Sequence, residues 1–391
     1  MSEHINSRRE FLRDVGNIVA LTVLGSGCSA SYQKLNPLQM TSTLQEQPVP
    51  PLADIHIHTD CAHSPESIKR RADEFQIPAF QGKTVDEIRS IITLPASEAI
   101  TPARNPEEAI KKWDRWYKCL QETRKAYTSP KVIAALIRDV VEDSANSGVG
   151  LVELRLSLLS TVDTLLNNLG LKDASPEVFW KYAVEVFDAL IEALQNAPVP
   201  TDLIMSISCQ NRYKPKVADL IQFCRDYRNH LIGLDLTNEK DNPPSAYAPD
   251  IERARLDIKF LTIHCMELMG PERGWDALTL NPDRIGHGIR AIEDPKLVKE
   301  LARRGIPLEI CVNSNVVTGA VIGGIDNHPM RKLYDAGVTL TVGSDGCNDG
   351  STLTDNYDLI ERSLGFTPEQ IQKLRKNSFK YAFRNLKGKR G

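Results

Sequence analysis

Apolar positions in this chain recur as short runs that end on polar residues, separated by longer stretches with helical spacing. The first run is Leu52-Ala53-Asp54-Ile55-His56-Ile57-His58, where apolar residues bracket two histidines. Side chains of a strand alternate faces, so His56 and His58 point the same way. Further strand-like runs cover Val149–Leu156, Leu203–Ser208, Leu231–Leu236, Phe260–His264, Arg284–His287, Pro307–Val312 and Val338–Gly343. Helical periods lie between most of them, as in Lys216 to Tyr227 and Asp294 to Arg304. Eight strands alternating with helices predict an α/β fold, a closed (β/α)8 TIM barrel. An open doubly wound sheet is the alternative, but no glycine-rich phosphate turn follows the first strand.

Residues 60–148 read as a helical insertion after strand 1. Lys131 to Val141 has the clearest amphipathic spacing, and Pro95, Pro102, Pro106 and Pro130 divide the region into short elements. An excursion of this length is a candidate lid or pocket wall.

The N-terminus departs from this order. Arg8-Arg9 precedes the weakly apolar run Val15 to Leu24, then small residues and Cys28. The pattern resembles a bacterial twin-arginine export signal with Cys28 as a lipid-attachment site, although Gly25 stands where a lipobox has an aliphatic residue. An unstructured basic leader is the plainer alternative. Residues 1–28 are read as the export signal, 29–50 as a polar, proline-rich linker and 51–391 as the barrel. That division puts the protein in the periplasm or outside the cell.

Composition narrows the partners. The 391 residues are 41% hydrophobic and 25% charged, with a net charge of -3, so nothing points to nucleic acid or a membrane surface held by charge. No apolar run is long enough for an ordinary transmembrane helix. The seven cysteines besides Cys28 form no CxxC pair and read as small buried side chains.

The strand ends carry the chemistry. Strand 1 offers His56 and His58, strand 5 offers His264 and then Glu267, strand 6 offers His287, and strand 8 offers Asp345. Singly, each has an ordinary reading: a packed histidine, a turn aspartate, a carboxylate at a helix start. Yet four of the eight histidines fall at one predicted barrel rim. Three imidazoles and a carboxylate suit Zn²⁺ with one open position, where a bound water has its pKa lowered to about 7. Glu267 and His287 would then be acid and base groups beside the metal.

From residue 51 onward the chain resembles the adenosine deaminase family of metal-dependent hydrolases. The matching segments are His56-Ile57-His58, Val152-Glu153-Leu154-Arg155, Gly233-Leu234-Asp235-Leu236, His264-Cys265-Met266-Glu267, Arg284-Ile285-Gly286-His287-Gly288, Leu308 to Asn315, His328-Pro329 and Ser344-Asp345. The resemblance implies His56, His58, His264 and Asp345 as zinc ligands. It implies Glu267 as the group that protonates the ring nitrogen beside the attacked carbon. His287 would orient the attacking water and help deprotonate it, Asp60 would bind the 5′-hydroxyl of a purine nucleoside, and the backbone N–H of Asn238 would reach the base. The implied reaction is hydrolytic deamination of adenosine to inosine. Three departures from the pattern stand out: Gly346 replaces a second aspartate that contacts N7 of the purine, Cys61 and Asn238 replace glycines, and Cys265-Met266 replaces an Ala-Gly pair. These departures keep two other readings open. One is a metal-dependent aminohydrolase or amidohydrolase acting on another amino-heterocycle; the other is an exported binding protein with a degenerate site.

Overall fold

The computed structural model describes residues 51–346, 348 and 351–390. The leader, the linker and Cys28 lie outside the described residues.

Eight strands form one sheet: β1 Leu52–His58, β2 Val149–Leu156, β3 Thr201–Ser208, β4 Leu231–Thr237, β5 Phe260–Cys265, β6 Arg284–His287, β7 Leu308–Ile310 and β8 Leu340–Val342. They pair in sequence order, each parallel to the next. The last seam is sewn by Asp345, whose N–H donates to His56 O at 2.8 Å and whose carbonyl accepts from His58 N at 3.0 Å. This is the expected (β/α)8 barrel. β7 and β8 are shorter than their apolar runs because the chain leaves the sheet early; after Ile310 it enters the helix Val312–Val317.

Local signals explain the helices that pack outside. Ser129 accepts a hydrogen bond from Val132 N, Pro130 fills the first turn, and the helix Pro130–Asn146 buries Val132, Ile133, Leu136, Ile137 and Val140. In the insertion after β1, Pro65, Pro106 and Pro130 each start a helix. A missing N–H costs nothing in a helix's first turn, so the breaks expected at Pro106 and Pro130 are helix beginnings. The helix Pro106–Thr123 turns Trp113, Trp116, Tyr117 and Leu120 towards the barrel mouth.

The barrel interior is not wholly apolar. Glu153, Arg155, Asp235, Arg284 and Glu309 are fully buried. Glu309 pairs with Arg155 and lies 2.5 Å from Arg284 Nε, while Arg284 Nη1 donates to Glu153 at 2.7 Å. Burial alone would raise Glu309, but the two guanidinium groups overcome it and hold the carboxyl well below its usual range. Removing one partner from such a set strands a buried charge, which costs about 3–5 kcal/mol. Among the described cysteines, Cys61, Cys209, Cys224, Cys265 and Cys311 are buried and Cys119 is half-buried, all as thiols.

Candidate metal and catalytic centre

The strand ends converge. His58 Nε2 lies 3.0 Å from His264 Nε2, and Asp345 Oδ1 lies 3.6 Å from His56 Nε2 and 3.5 Å from His58 Nε2. His287 Nε2 stands 4.0 Å from Asp345 Oδ2 and 3.6 Å from Glu267 Oε2. Six of the residues singled out in the sequence are thus brought to one rim.

The backbone aims them there. Asn238, Met266, His287 and Asp345 all take left-handed conformations, with φ of 62, 59, 57 and 64°. Each lies at or just past the end of its strand, where a sharp turn redirects the chain. L-residues enter this region at a cost that the surrounding fold must repay. Asn238 and Met266 occupy positions where the family pattern carries glycine, and the positive φ accounts for that preference. Gly343 serves a different need: a Cβ there would lie 2.5 Å from His56 Cβ.

A metal fits this donor set. His56 Nδ1 donates to Glu309 Oε2 at 2.9 Å and His264 Nδ1 to Asp235 Oδ1 at 2.9 Å, so both rings present Nε2 to the centre. His56 Nε2 is buried with no hydrogen-bond partner among the described residues. Ser314 Oγ donates to Asp345 Oδ2 at 2.6 Å, which leaves Oδ1 facing the imidazoles. Ligands bonded at about 2.0–2.1 Å around a tetrahedral Zn²⁺ stand about 3.4 Å apart. The observed 3.0, 3.5 and 3.6 Å bracket that edge.

Electrostatics favour the ligand protonation states at His58, His264 and Asp345; His56 is raised instead, burial and Arg155 being outweighed by Asp345 and Glu309, so its extra proton would leave when a metal binds. Burial, then the neighbouring His264, lowers His58 to about 3. Burial, then His56 and Arg155, drives His264 well below its usual value. Asp345 is held well below the carboxylate range: burial opposes this, but His56 and the other surrounding imidazoles prevail. His58 and His264 are therefore neutral and Asp345 ionised, as metal ligation requires.

Two groups stand beside the donors. Burial, reinforced by Asp345 and Glu239, raises Glu267 well above its usual value, which favours its protonated form. His287 ends a hydrogen-bond chain: Met330 N donates to His328 Nδ1 at 3.2 Å, His328 Nε2 lies 3.4 Å from Asn315 Oδ1, and Asn315 Nδ2 lies 3.1 Å from His287 Nδ1. Assigned from this chain, the hydrogen of His287 sits on Nε2, pointing into the site.

These residues open onto a cavity of about 760 Å³ with Trp113, Trp116 and Leu120 on one wall. Asp60 and Asn238 line it as well. Asp60 is already engaged: Arg124 Nη2 donates to its Oδ2, and that charge, against the effect of burial, lowers the Asp60 carboxyl. The Asn238 side chain is turned to Ser208 Oγ at 3.2 Å and Thr237 Oγ1 at 3.1 Å, which leaves its backbone as the group available to a ligand. Gly346 has φ +89°, and a Cβ there would lie 2.6 Å from Ala62 Cβ and 2.8 Å from Ala62 Cα.

Several contributors escaped the reading of single residues. Asp235 and Glu309 behind the histidines, and Arg155 between them, were visible as charges inside apolar strand runs. Arg124 and Glu239 carried no such mark.

Comparison with known proteins agrees with this geometry. A sequence profile of adenosine deaminases matches residues 51–391. An adenosine deaminase of Escherichia coli O157:H7 is 27% identical over 353 residues, covering 87% of this chain and 96% of that protein. An adenine deaminase of Crocosphaera subtropica is 39% identical over 161 residues, 40% of this chain and 48% of that protein. A zinc-bound amidohydrolase structure from Burkholderia ambifaria superimposes with a TM-score of 0.65 at 17% identity, covering 85% of each chain. The chain belongs to the adenosine deaminase family, as an adenosine deaminase-like aminohydrolase on a (β/α)8 barrel.

Proposed function

We propose that the protein catalyses zinc-dependent hydrolytic deamination of adenosine or a related 6-aminopurine nucleoside, giving an inosine-type product and ammonia. The observation that carries this reading is the convergence of His56, His58, His264 and Asp345 with Glu267 and His287 beside them. His56, His58, His264 and Asp345 would hold the ion. When bound, Zn²⁺ supplies an activated water at neutral pH and stabilises charge that develops on the attacked carbon's substituents.

The chain's own groups do the rest. Glu267 hands its proton to the ring nitrogen next to the amino-bearing carbon, which makes that carbon electrophilic. A carboxyl that meets substrate already protonated is the condition for this step, and burial supplies it. His287, with hydrogen on Nε2, orients the attacking oxygen towards the carbon; the donor chain through Asn315 suits this orienting role better than proton abstraction. The Asn238 backbone N–H reads the base. Asp60, fixed by Arg124, keeps a second carboxylate oxygen for the ribose 5′-hydroxyl. The aromatic wall of Trp113 and Trp116 excludes water and packs against the ring.

The test is ammonia release by purified, zinc-loaded protein from adenosine, deoxyadenosine and adenine. Turnover of a nucleoside supports the reading; no turnover of any of the three removes it. One observation favours a second substrate class. At Gly346 the space a side chain would need is filled by Ala62, so the family's contact to N7 is missing and another amino-heterocycle would lose less on binding. The same assay with pterin and pyrimidine amines separates the two.

We also propose export through the Arg8-Arg9 leader, with attachment at Cys28. An Arg8→Lys, Arg9→Lys double variant should stay in the cytoplasm, and Cys28→Ala should be released from the membrane fraction; unchanged fractionation of both argues against export.

A further inference from the structure

Glu239 sits on the turn after β4 and is 4% exposed. Its carboxylate accepts hydrogen bonds from four consecutive backbone N–H groups of another segment. Met266 N donates to Oε2 at 2.7 Å; Glu267 N, Leu268 N and Met269 N donate to Oε1 at 3.1, 2.8 and 2.9 Å. Converging N–H groups of this kind form a concave anion site. Here the anion is supplied by the protein itself.

The segment so gripped carries Glu267. Residues 266–269 lie between β5 and the helix Pro271–Leu278 and make no regular ladder of their own. Arg290 holds them from the other side, with Nη1 donating to Leu268 O at 2.5 Å and its backbone N donating to Met266 O at 2.9 Å. Met266 has φ 59°, a conformation that needs outside support. The direction of the Glu267 side chain is therefore set by contacts made elsewhere, chiefly by Glu239.

We propose that Glu239 is a positioning residue for the proton donor: by gathering the 266–269 N–H groups on one carboxylate, it keeps Glu267 within reach of the substrate ring and of His287. The claim rests on the reading of Glu267 as proton donor. It also accounts for a buried carboxylate on the cavity wall whose hydrogen bonds all go to residues 266–269.

The test compares zinc-loaded wild type with Glu239→Gln and Glu239→Ala. Glutamine places an N–H₂ among the backbone donors, and kcat should fall about a hundredfold with KM within about threefold, the signature of a lost transition-state contact. Bound zinc should be unchanged. Alanine leaves a carboxylate-sized hollow lined by four N–H groups, so formate or acetate should restore part of its kcat and leave wild type unaffected. Amide hydrogen exchange over 266–269 should be slow in wild type and at least about tenfold faster in either variant, as local opening no longer breaks those bonds. Wild-type kcat in Glu239→Gln, a loss confined to KM or to zinc content, or unchanged exchange would each overturn the proposal. If neither variant folds, Glu239→Asp replaces them with the same expected direction, and fast exchange of 266–269 in wild type alone is enough to sink the claim. Should wild type deaminate no aminopurine, the functional reading falls, and the exchange measurement still judges whether Glu239 holds the loop.

Discussion

His264 Nδ1 lies 2.9 Å from Asp235 Oδ1, and Asp235 is in turn 3.3 Å from Arg155 Nη1. The carboxylate fixes which nitrogen of His264 faces the centre. Asp235→Asn should therefore weaken zinc binding by about 10–100-fold, the usual effect of losing a partner behind a ligand. Competition with a coloured chelator measures it. Equal affinity in the two proteins would show that His264 does not depend on this bond.

Glu267→Gln removes the proton and keeps the shape. Proton donors of this kind contribute about 10²–10⁴-fold to rate, so kcat should drop within that range at unchanged zinc content. A variant that retains wild-type kcat would assign the donor role elsewhere.

Stripping the metal with a chelator should abolish turnover, and zinc should restore it. The barrel seams are backbone hydrogen bonds, so the far-ultraviolet spectrum should persist while the melting temperature falls. Binding contributes about 4 kcal/mol when free metal is about a thousand times Kd. A melting curve indifferent to zinc would count against a site on the native state.

Placing an aspartate at position 346 should fail. Gly346→Asp forces a side chain onto φ +89° and into Ala62. Left-handed strain costs about 1–2 kcal/mol and overpacking about 1–3 more. The expected outcome is a lower urea midpoint with no gain in adenosine turnover. A stable, faster variant would mean that the Ala62 segment yields easily.

Acid should weaken the fold in part through His63. Burial lowers this imidazole from 6.5 to about 4, and its Nε2 lies 3.0 Å from Tyr127 Oη. Between those values the unfolded chain binds the proton and the native one does not, so stability falls as pH drops through this window. At pH 5 the loss is about 2 kcal/mol relative to pH 7.5. Urea titrations of wild type and His63→Gln at the two values should differ by that increment.

The barrel was legible because parallel strands buried on both faces read as continuous apolar runs with polar ends. The converging rim residues were legible because His56-Ile57-His58 alternates faces, and because His264, His287 and Asp345 follow apolar runs directly. Asp60 was seen, but its tie to Arg124 was not: the partner lies at the end of a helix 64 residues away, and no local pattern encodes that contact. Glu239 was hidden for the same reason, since its partners are backbone atoms that carry no side-chain signature. The trimmed ends of β7 and β8 reflect turns dictated by the rim, which apolar content does not report.

Asp345 both offers a carboxylate to the donor cluster and zips β8 onto β1 through its own main chain. A nascent polypeptide ending short of residue 345 would display its imidazoles on an unclosed sheet. A copy that springs open at this joint would part the Asp345 carboxylate from the imidazoles and undo the β8–β1 seam in one event.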